Sequence, residues 1–187
     1  MSGAINGGLI GVNSLTGNDL ASVWVINAAD GGSVTDANGT VSFSNIGNLN
    51  GGTGTDDFTL SGVGTLSGSI DGGAGINSLQ AADGANSWIV TGSRSGTVTG
   101  IGVGYSSIDN LIGGSGADSF ALNNGVITSG SIDGGAGVDT LDLSLYTTDR
   151  SVILTGSGVN GFDGTEASVG GGFANIDVIT LPAGCIV

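Results

Sequence analysis

The sequence predicts an all-β fold, a parallel β-helix or β-solenoid of β-roll-like section with about 21 residues to a coil. Three observations lead there. The first is a long repeat: Ser2-Gly-Ala-Ile-Asn-Gly-Gly8, Ser67-Gly-Ser-Ile-Asp-Gly-Gly73 and Ser129-Gly-Ser-Ile-Asp-Gly-Gly135 are one heptad displaced by 65 and then 62 residues. The second is a shorter step inside it, since glycine turns at Gly7, Gly31, Gly51, Gly72, Gly92, Gly113, Gly134 and Gly156 fall 20 to 24 residues apart. The third is local. Short β-type runs such as Phe58-Thr-Leu60, Trp88-Ile-Val-Thr91, Thr97-Val-Thr99 and Ser151-Val-Ile-Leu154 are separated by Gly, Ser, Asn and Asp, and no stretch keeps a helical apolar period.

The elements follow in order. The chain reads as one domain, 1–187, with repeats over 2–66, 67–128 and 129–181 and a C-terminal end at 182–187. Beyond the heptad, Asn13-Ser-Leu15 matches Asn77-Ser-Leu79 and Asp139-Thr-Leu141, Trp24-Val-Ile26 matches Trp88-Ile-Val90, and Asn45-Ile46 with Leu49 matches Ser107-Ile108 with Leu111. Three coils make one 62-residue repeat, so the whole chain holds roughly nine, a rod about 40 Å long at the strand spacing of about 4.8 Å. Ile5, Leu49, Ile70, Leu111 and Ile132 are expected to stack as one internal ladder, and Leu15, Phe58, Leu79, Phe120 and Leu141 as a second. Trp24 and Trp88, equivalent by repeat, are expected to pack. Leu181-Pro-Ala-Gly184 stands where a further glycine turn is due, and proline there blocks a ladder hydrogen bond.

Composition narrows the chemistry. Forty glycines, no His, no Lys, one Cys and only Arg94 and Arg150 as bases leave few general bases, no Schiff-base nucleophile and no zinc cluster. Sixteen acids against two bases give a net charge of −14, which disfavours nucleic acid and anionic lipid and favours cations. A hydrophobic fraction of 39% argues for a folded chain. Cys185 has no internal partner. Met1-Ser2-Gly3-Ala4 opens no charged-then-apolar leader, and no run approaches the length of a membrane helix.

One turn recurs in a tight form. Gly51-Gly-Thr-Gly-Thr-Asp-Asp-Phe-Thr59, Gly113-Gly-Ser-Gly-Ala-Asp-Ser-Phe-Ala121 and Gly134-Gly-Ala-Gly-Val-Asp-Thr-Leu-Asp142 all read G-G-x-G-x-D-x-U-x; Gly72-Gly-Ala-Gly-Ile-Asn-Ser-Leu-Gln80 follows with Asn77 for the acid. This resembles the RTX, or haemolysin-type, calcium-binding nonapeptide. RTX rolls run it in uninterrupted tandem, whereas here it holds one corner of selected coils. The fuller 62-residue pattern is also similar to repeats of large bacterial surface proteins of the filamentous-haemagglutinin-like kind. The resemblance implies calcium between stacked turns, with Gly51, Gly54, Asp56, Gly72, Gly75 and Asn77 at one place and Gly113, Gly116, Asp118, Gly134, Gly137 and Asp139 at another. Calcium takes six to eight hard oxygens, which carbonyls and carboxylates of adjacent turns supply. The Asp118/Asp139 pair carries one more charge than Asp56/Asn77 and is expected to be the better site. The alternative is a metal-free corner with Asn and Asp stacked as hydrogen-bonding ladders. Asp71 and Asp133, just before their glycine pairs, are expected to face outward.

The expected function is structural: a calcium-stabilised segment of a secreted or cell-surface bacterial protein, an adhesin stalk or self-assembling fibre, whose partners are calcium ions and neighbouring repeats or a second chain stacked head to tail. An enzyme acting on polysaccharide needs a base that only two arginines could supply, or paired carboxylates such as Asp139 and Asp142. Ice binding needs Thr ladders, but Thr53-Gly-Thr55 and Thr97-Val-Thr99 do not recur at each coil.

Overall fold

The computed structural model describes residues 3–9 and 11–183; Cys185 and Gly184 lie outside them. Among these residues every regular element is a strand, as the missing helical period predicts. The first repeat supplies β1 (Gly3–Asn6), β2 (Ser14–Thr16), β3 (Ser22–Ala28), β4 (Gly31–Asp36), β5 (Gly39–Ser44), β6 (Asn48–Asn50) and β7 (Asp56–Leu60). The second supplies β8 (Ser69–Asp71), β9 (Ser78–Gln80), β10 (Ser87–Gly92), β11 (Ser95–Val98), β12 (Gly104–Ser106), β13 (Asn110–Ile112) and β14 (Ser119–Leu122). The third supplies β15 (Ile132–Asp133), β16 (Thr140–Asp142), β17 (Val152–Gly158), β18 (Gly161–Glu166), β19 (Val169–Ile176) and β20 (Val178–Thr180).

These strands form two sheets, of eleven and nine strands, and the chain passes from one to the other at almost every turn. Glycine punctuation leaves many strands only three residues long. In β6, β8, β9, β13 and β16 the middle residue is buried and its neighbours half-buried, so each buries a single apolar side chain. Such a strand gains stability only from the equivalents paired on either side of it.

The constant step of about 21 residues holds only in part. Leu49 pairs with Ile70, Phe58 with Leu79, Leu111 with Ile132 and Phe120 with Leu141, each 21 apart. Trp24 pairs with Phe58 at a distance of 34 residues, Leu79 with Leu111 at 32 and Ile132 with Phe173 at 41. The cause is an antiparallel three-stranded meander spliced into each repeat: β3-β4-β5, β10-β11-β12 and β17-β18-β19. A hairpin rich in β-branched residues and glycine, Trp88-Ile-Val-Thr-Gly followed by Ser95-Gly-Thr-Val, folds back on itself before the chain crosses over.

Each full repeat visits the sheets five times, an odd number, so the next repeat begins on the opposite sheet. Ile5 and Ile132 therefore lie in the larger sheet and the equivalent Ile70 in the smaller one. This redistributes the two expected ladders. The observed ones run Leu15–Leu49–Ile70–Tyr105, Trp24–Phe58–Leu79–Leu111–Ile132–Phe173 and Trp88–Phe120–Leu141–Ile179. Alternation also balances the sheets. The first meander lengthens one sheet, the second the other, and β1 to β14 place seven strands in each.

The core is thin and aromatic at the meanders. Trp24 and Trp88 are fully buried and stack on Phe58 and Phe120, with ring centroids 5.5 and 5.4 Å apart. Phe43 and Tyr105 lean on the same tryptophans. Opposite these rings the middle strand of each meander carries a glycine, Gly32, Gly96 or Gly164, where a methyl group would run into Phe43, Tyr105 or Phe173.

Candidate metal centre

The G-G-x-G-x-D turns form corners where the chain leaves one sheet for the other. Within them the glycines divide into two kinds. Gly54, Gly75, Gly116 and Gly137 sit at the turn tips, where backbone packs on backbone: a methyl on Gly75 would strike the Gly54 carbonyl, and one on Gly137 the Gly116 carbonyl. Gly75 and Gly137 also have φ of 87° and 132°, which only glycine adopts without strain. Gly51, Gly72, Gly113 and Gly134 instead lie beside the Asp or Asn five residues on.

Those Asp and Asn residues stack into two columns at opposite corners. In one, the Asp56 N–H donates to Asn77 Oδ1 at 2.9 Å and the Asn77 N–H to Asp109 Oδ2 at 2.9 Å. In the other, the Asn86 N–H donates to Asp118 Oδ1 at 2.8 Å, the Asp118 N–H to Asp139 Oδ1 at 2.8 Å and the Asp139 N–H to Asp177 Oδ2 at 2.8 Å. The structure thus brings Asp56 to Asn77 and Asp118 to Asp139, the pairs singled out in the sequence. It adds Asn86, Asp109 and Asp177, which sequence reasoning left out. The repeat carries a signal for two of them, because Ser107-Ile-Asp109 and Asn175-Ile-Asp177 occupy matching places, with φ of 57° at Ser107 and 54° at Asn175.

The second side-chain atom of each rung is chemically telling. In Asn77 it is Nδ2, which donates to the carbonyls of Ser107 at 3.0 Å and Ala74 at 3.2 Å. Asn13 Nδ2 donates in the same way to the Asn45 carbonyl at 3.0 Å, and Asn86 Nδ2 to the carbonyls of Ala82 and Gly84. At Asp56, Asp118 and Asp139 an oxygen replaces that NH2. Asp56 Oδ2 and the Gly72 carbonyl converge on Gly51, Asp118 Oδ2 and the Gly134 carbonyl on Gly113, and Asp139 Oδ2 and the Asn175 carbonyl on Gly134. All three Oδ2 atoms are buried with no hydrogen-bond partner, as is Asp56 Oδ1. The three residues are at most 2% exposed.

An acceptor aimed at acceptors in a dry site is unfavourable as an anion. Burial accordingly pushes all three carboxyls above the ordinary aspartate range. Ser22 and Trp24 offset part of this at Asp56, and Asn86 part of it at Asp118. At Asp139 the Asp118 N–H offsets part, while the charges of Asp118, Asp177 and Asp133 add to the rise. Two states relieve such a contact: a protonated carboxyl that donates to the carbonyl, or a cation between the oxygens.

A cation held here draws on carbonyls with one or two carboxylates, since among the described residues no three His, Cys, Asp or Glu side chains converge. That mixed oxygen set suits calcium. Asp71 and Asp133 serve their own turns, accepting from the Gly73 and Gly135 N–H groups at 3.0 Å each. Trp24 and Trp88 are fully buried in the core. Arg94, which has no counterpart at its aligned place in the repeat, reaches a corner: its Nη2 donates to the carbonyls of Gly75 and Ser107 and to Asp109 Oδ2, at 2.8, 3.0 and 2.8 Å. No protein family, curated protein or solved structure matches this chain.

Proposed function

We propose that the chain is a calcium-stabilised β-solenoid, a structural segment of a secreted or cell-surface bacterial protein that serves as an adhesin stalk or stacking fibre. The observation that carries this reading is the set of buried, partnerless carboxylate oxygens at Asp56, Asp118 and Asp139, each turned toward a main-chain carbonyl where Asn elsewhere supplies N–H. A calcium ion at each supplies the missing positive charge, and its carbonyl-rich shell matches the oxygens that converge there. The resemblance of the turns to RTX nonapeptides supports the same ion. Parallel pairing between successive turns of chain, with one apolar residue inward per short strand, supports the solenoid. Both sheets are open, and edge strands such as β2 and β20 of the smaller one suit head-to-tail stacking or neighbouring repeats.

Melting followed by circular dichroism tests the metal. The full chain in millimolar calcium is expected to unfold well above its midpoint in EDTA, and equal midpoints would remove calcium from the account. One observation favours a second reading. Asn77, Asp118 and Asp139 each already accept a main-chain N–H through Oδ1, so the columns hold together without metal when Asp56, Asp118 and Asp139 are protonated. Under that reading the midpoint responds to acid and not to calcium.

A further inference from the structure

The two corner columns are copies of one another within a single chain, and they differ in charge. Asp56, Asn77 and Asp109 of the first match Asp118, Asp139 and Asp177 of the second, rung for rung in the same hydrogen-bonded order. The first column has two acids, the second three.

The first column also has a cation of its own. The Arg94 guanidinium lies against the Asn77–Asp109 step, bound to the carbonyl of Ser107 and to Asp109 Oδ2, and it forms an ion pair with Asp109 at 2.8 Å. Asn77 Nδ2 donates to the same Ser107 carbonyl. Two positive-ended donors thus meet the oxygens of that step. In the second column the corresponding oxygens are Asp139 Oδ2, the Asn175 carbonyl and the Asp177 carboxylate, and neither donor is there. Asn77 has become Asp139, whose Oδ2 is fully buried and unpartnered. Arg94 sits in the hairpin tip between Gly92 and Ser95, and the matching tip of the third repeat, Ser157 to Phe162, contains no basic residue. The nearest charged group on that hairpin is a further acid, Asp163, which accepts from the Asn175 N–H at 3.2 Å. Arg150, the other arginine, pairs with Glu166 and lies over the Tyr146 ring.

We propose that the Asp139–Asp177 step of the third repeat binds a divalent cation, calcium by its all-oxygen donors, and that Arg94 is the tethered substitute for that ion at the equivalent Asn77–Asp109 step. The proposal rests on the calcium reading above and adds a location, against the Asn175-Ile-Asp177 turn, and an inequality between equivalent corners. The copies supply its chemistry. Where the step is amide and guanidinium it closes with protein groups alone; where it is two carboxylates and a carbonyl, the missing positive charge comes from solution.

Equilibrium dialysis of the full chain with calcium alone tests it by counting ions per chain. Asp139→Asn and Asp177→Asn are each expected to bind one ion fewer than the parent. Asn77→Asp combined with Arg94→Ala is expected to bind one more, and Asn77→Asp with Arg94 retained no more. The Asn13 and Asn77 rungs show that an amide fits this position, so Asp139→Asn folds, and Asp177→Asn keeps its acceptor oxygen if folding is in doubt. A parent that binds calcium, together with unchanged counts in both single variants, overturns this site and leaves the broader reading standing. A parent that binds no calcium overturns both.

Discussion

Asp118 shows how a single atom decides the character of a corner. Its Oδ1 is satisfied by Asn86, while its Oδ2, buried beside Gly113, faces a carbonyl. Asp118→Asn replaces that oxygen with a donor, as at Asn77. In EDTA it is expected to raise stability by about 1–3 kcal/mol, the cost of an unmet buried polar group, and to shrink the gain from calcium, both read from denaturant midpoints. The acid response follows from the raised carboxyls. An aspartate whose native value lies above its ordinary 3.8 binds more protons folded than unfolded between those two values. Stability in EDTA is therefore greatest below the unfolded value and is lost as pH rises through the raised native ones. Calcium, which selects the anion, is expected to flatten this slope, and Asn at 56, 118 and 139 together to abolish it; a pH series of melting midpoints reads both.

At the scale of elements, the meanders carry the stacked aromatic pairs of the core. Trp88→Ala removes the ring stacked on Phe120 and is expected to cost about 3–5 kcal/mol, measured by urea unfolding. Gly96→Ala places a methyl against Tyr105 and the Ile89 carbonyl and is expected to cost about 1–3 kcal/mol in the same assay. The tryptophans, the short strands and the pairs Asp56/Asn77 and Asp118/Asp139 were legible because repetition places equivalent residues in register. The meanders were not. Antiparallel hairpins such as β10-β11 share their residue types and glycine turns with parallel strands, so a 21-residue step passes through them unnoticed. Arg94 was hidden for the same reason, since its role depends on a hairpin tip reaching a corner two strands away.

The whole molecule is shaped by an odd count. Five sheet visits per repeat send successive repeats to opposite sheets, and the three-stranded insertions alternate with them, so the first two repeats give each sheet seven strands. Composition acquires its meaning at this scale as well: part of the charge of −14 lies in the corner columns, where the proposed calcium would neutralise it. Calcium is accordingly expected to compact the chain or promote end-to-end association, seen as a change in size by light scattering between EDTA and millimolar calcium. The most direct measurement is a crystal structure grown in millimolar calcium, examined at the Asp118 corner. An ion is expected between Asp118 Oδ2 and the Gly134 carbonyl, with metal–oxygen distances of about 2.3–2.6 Å. A direct hydrogen bond from Asp118 to that carbonyl, with no ion between them, would contradict it.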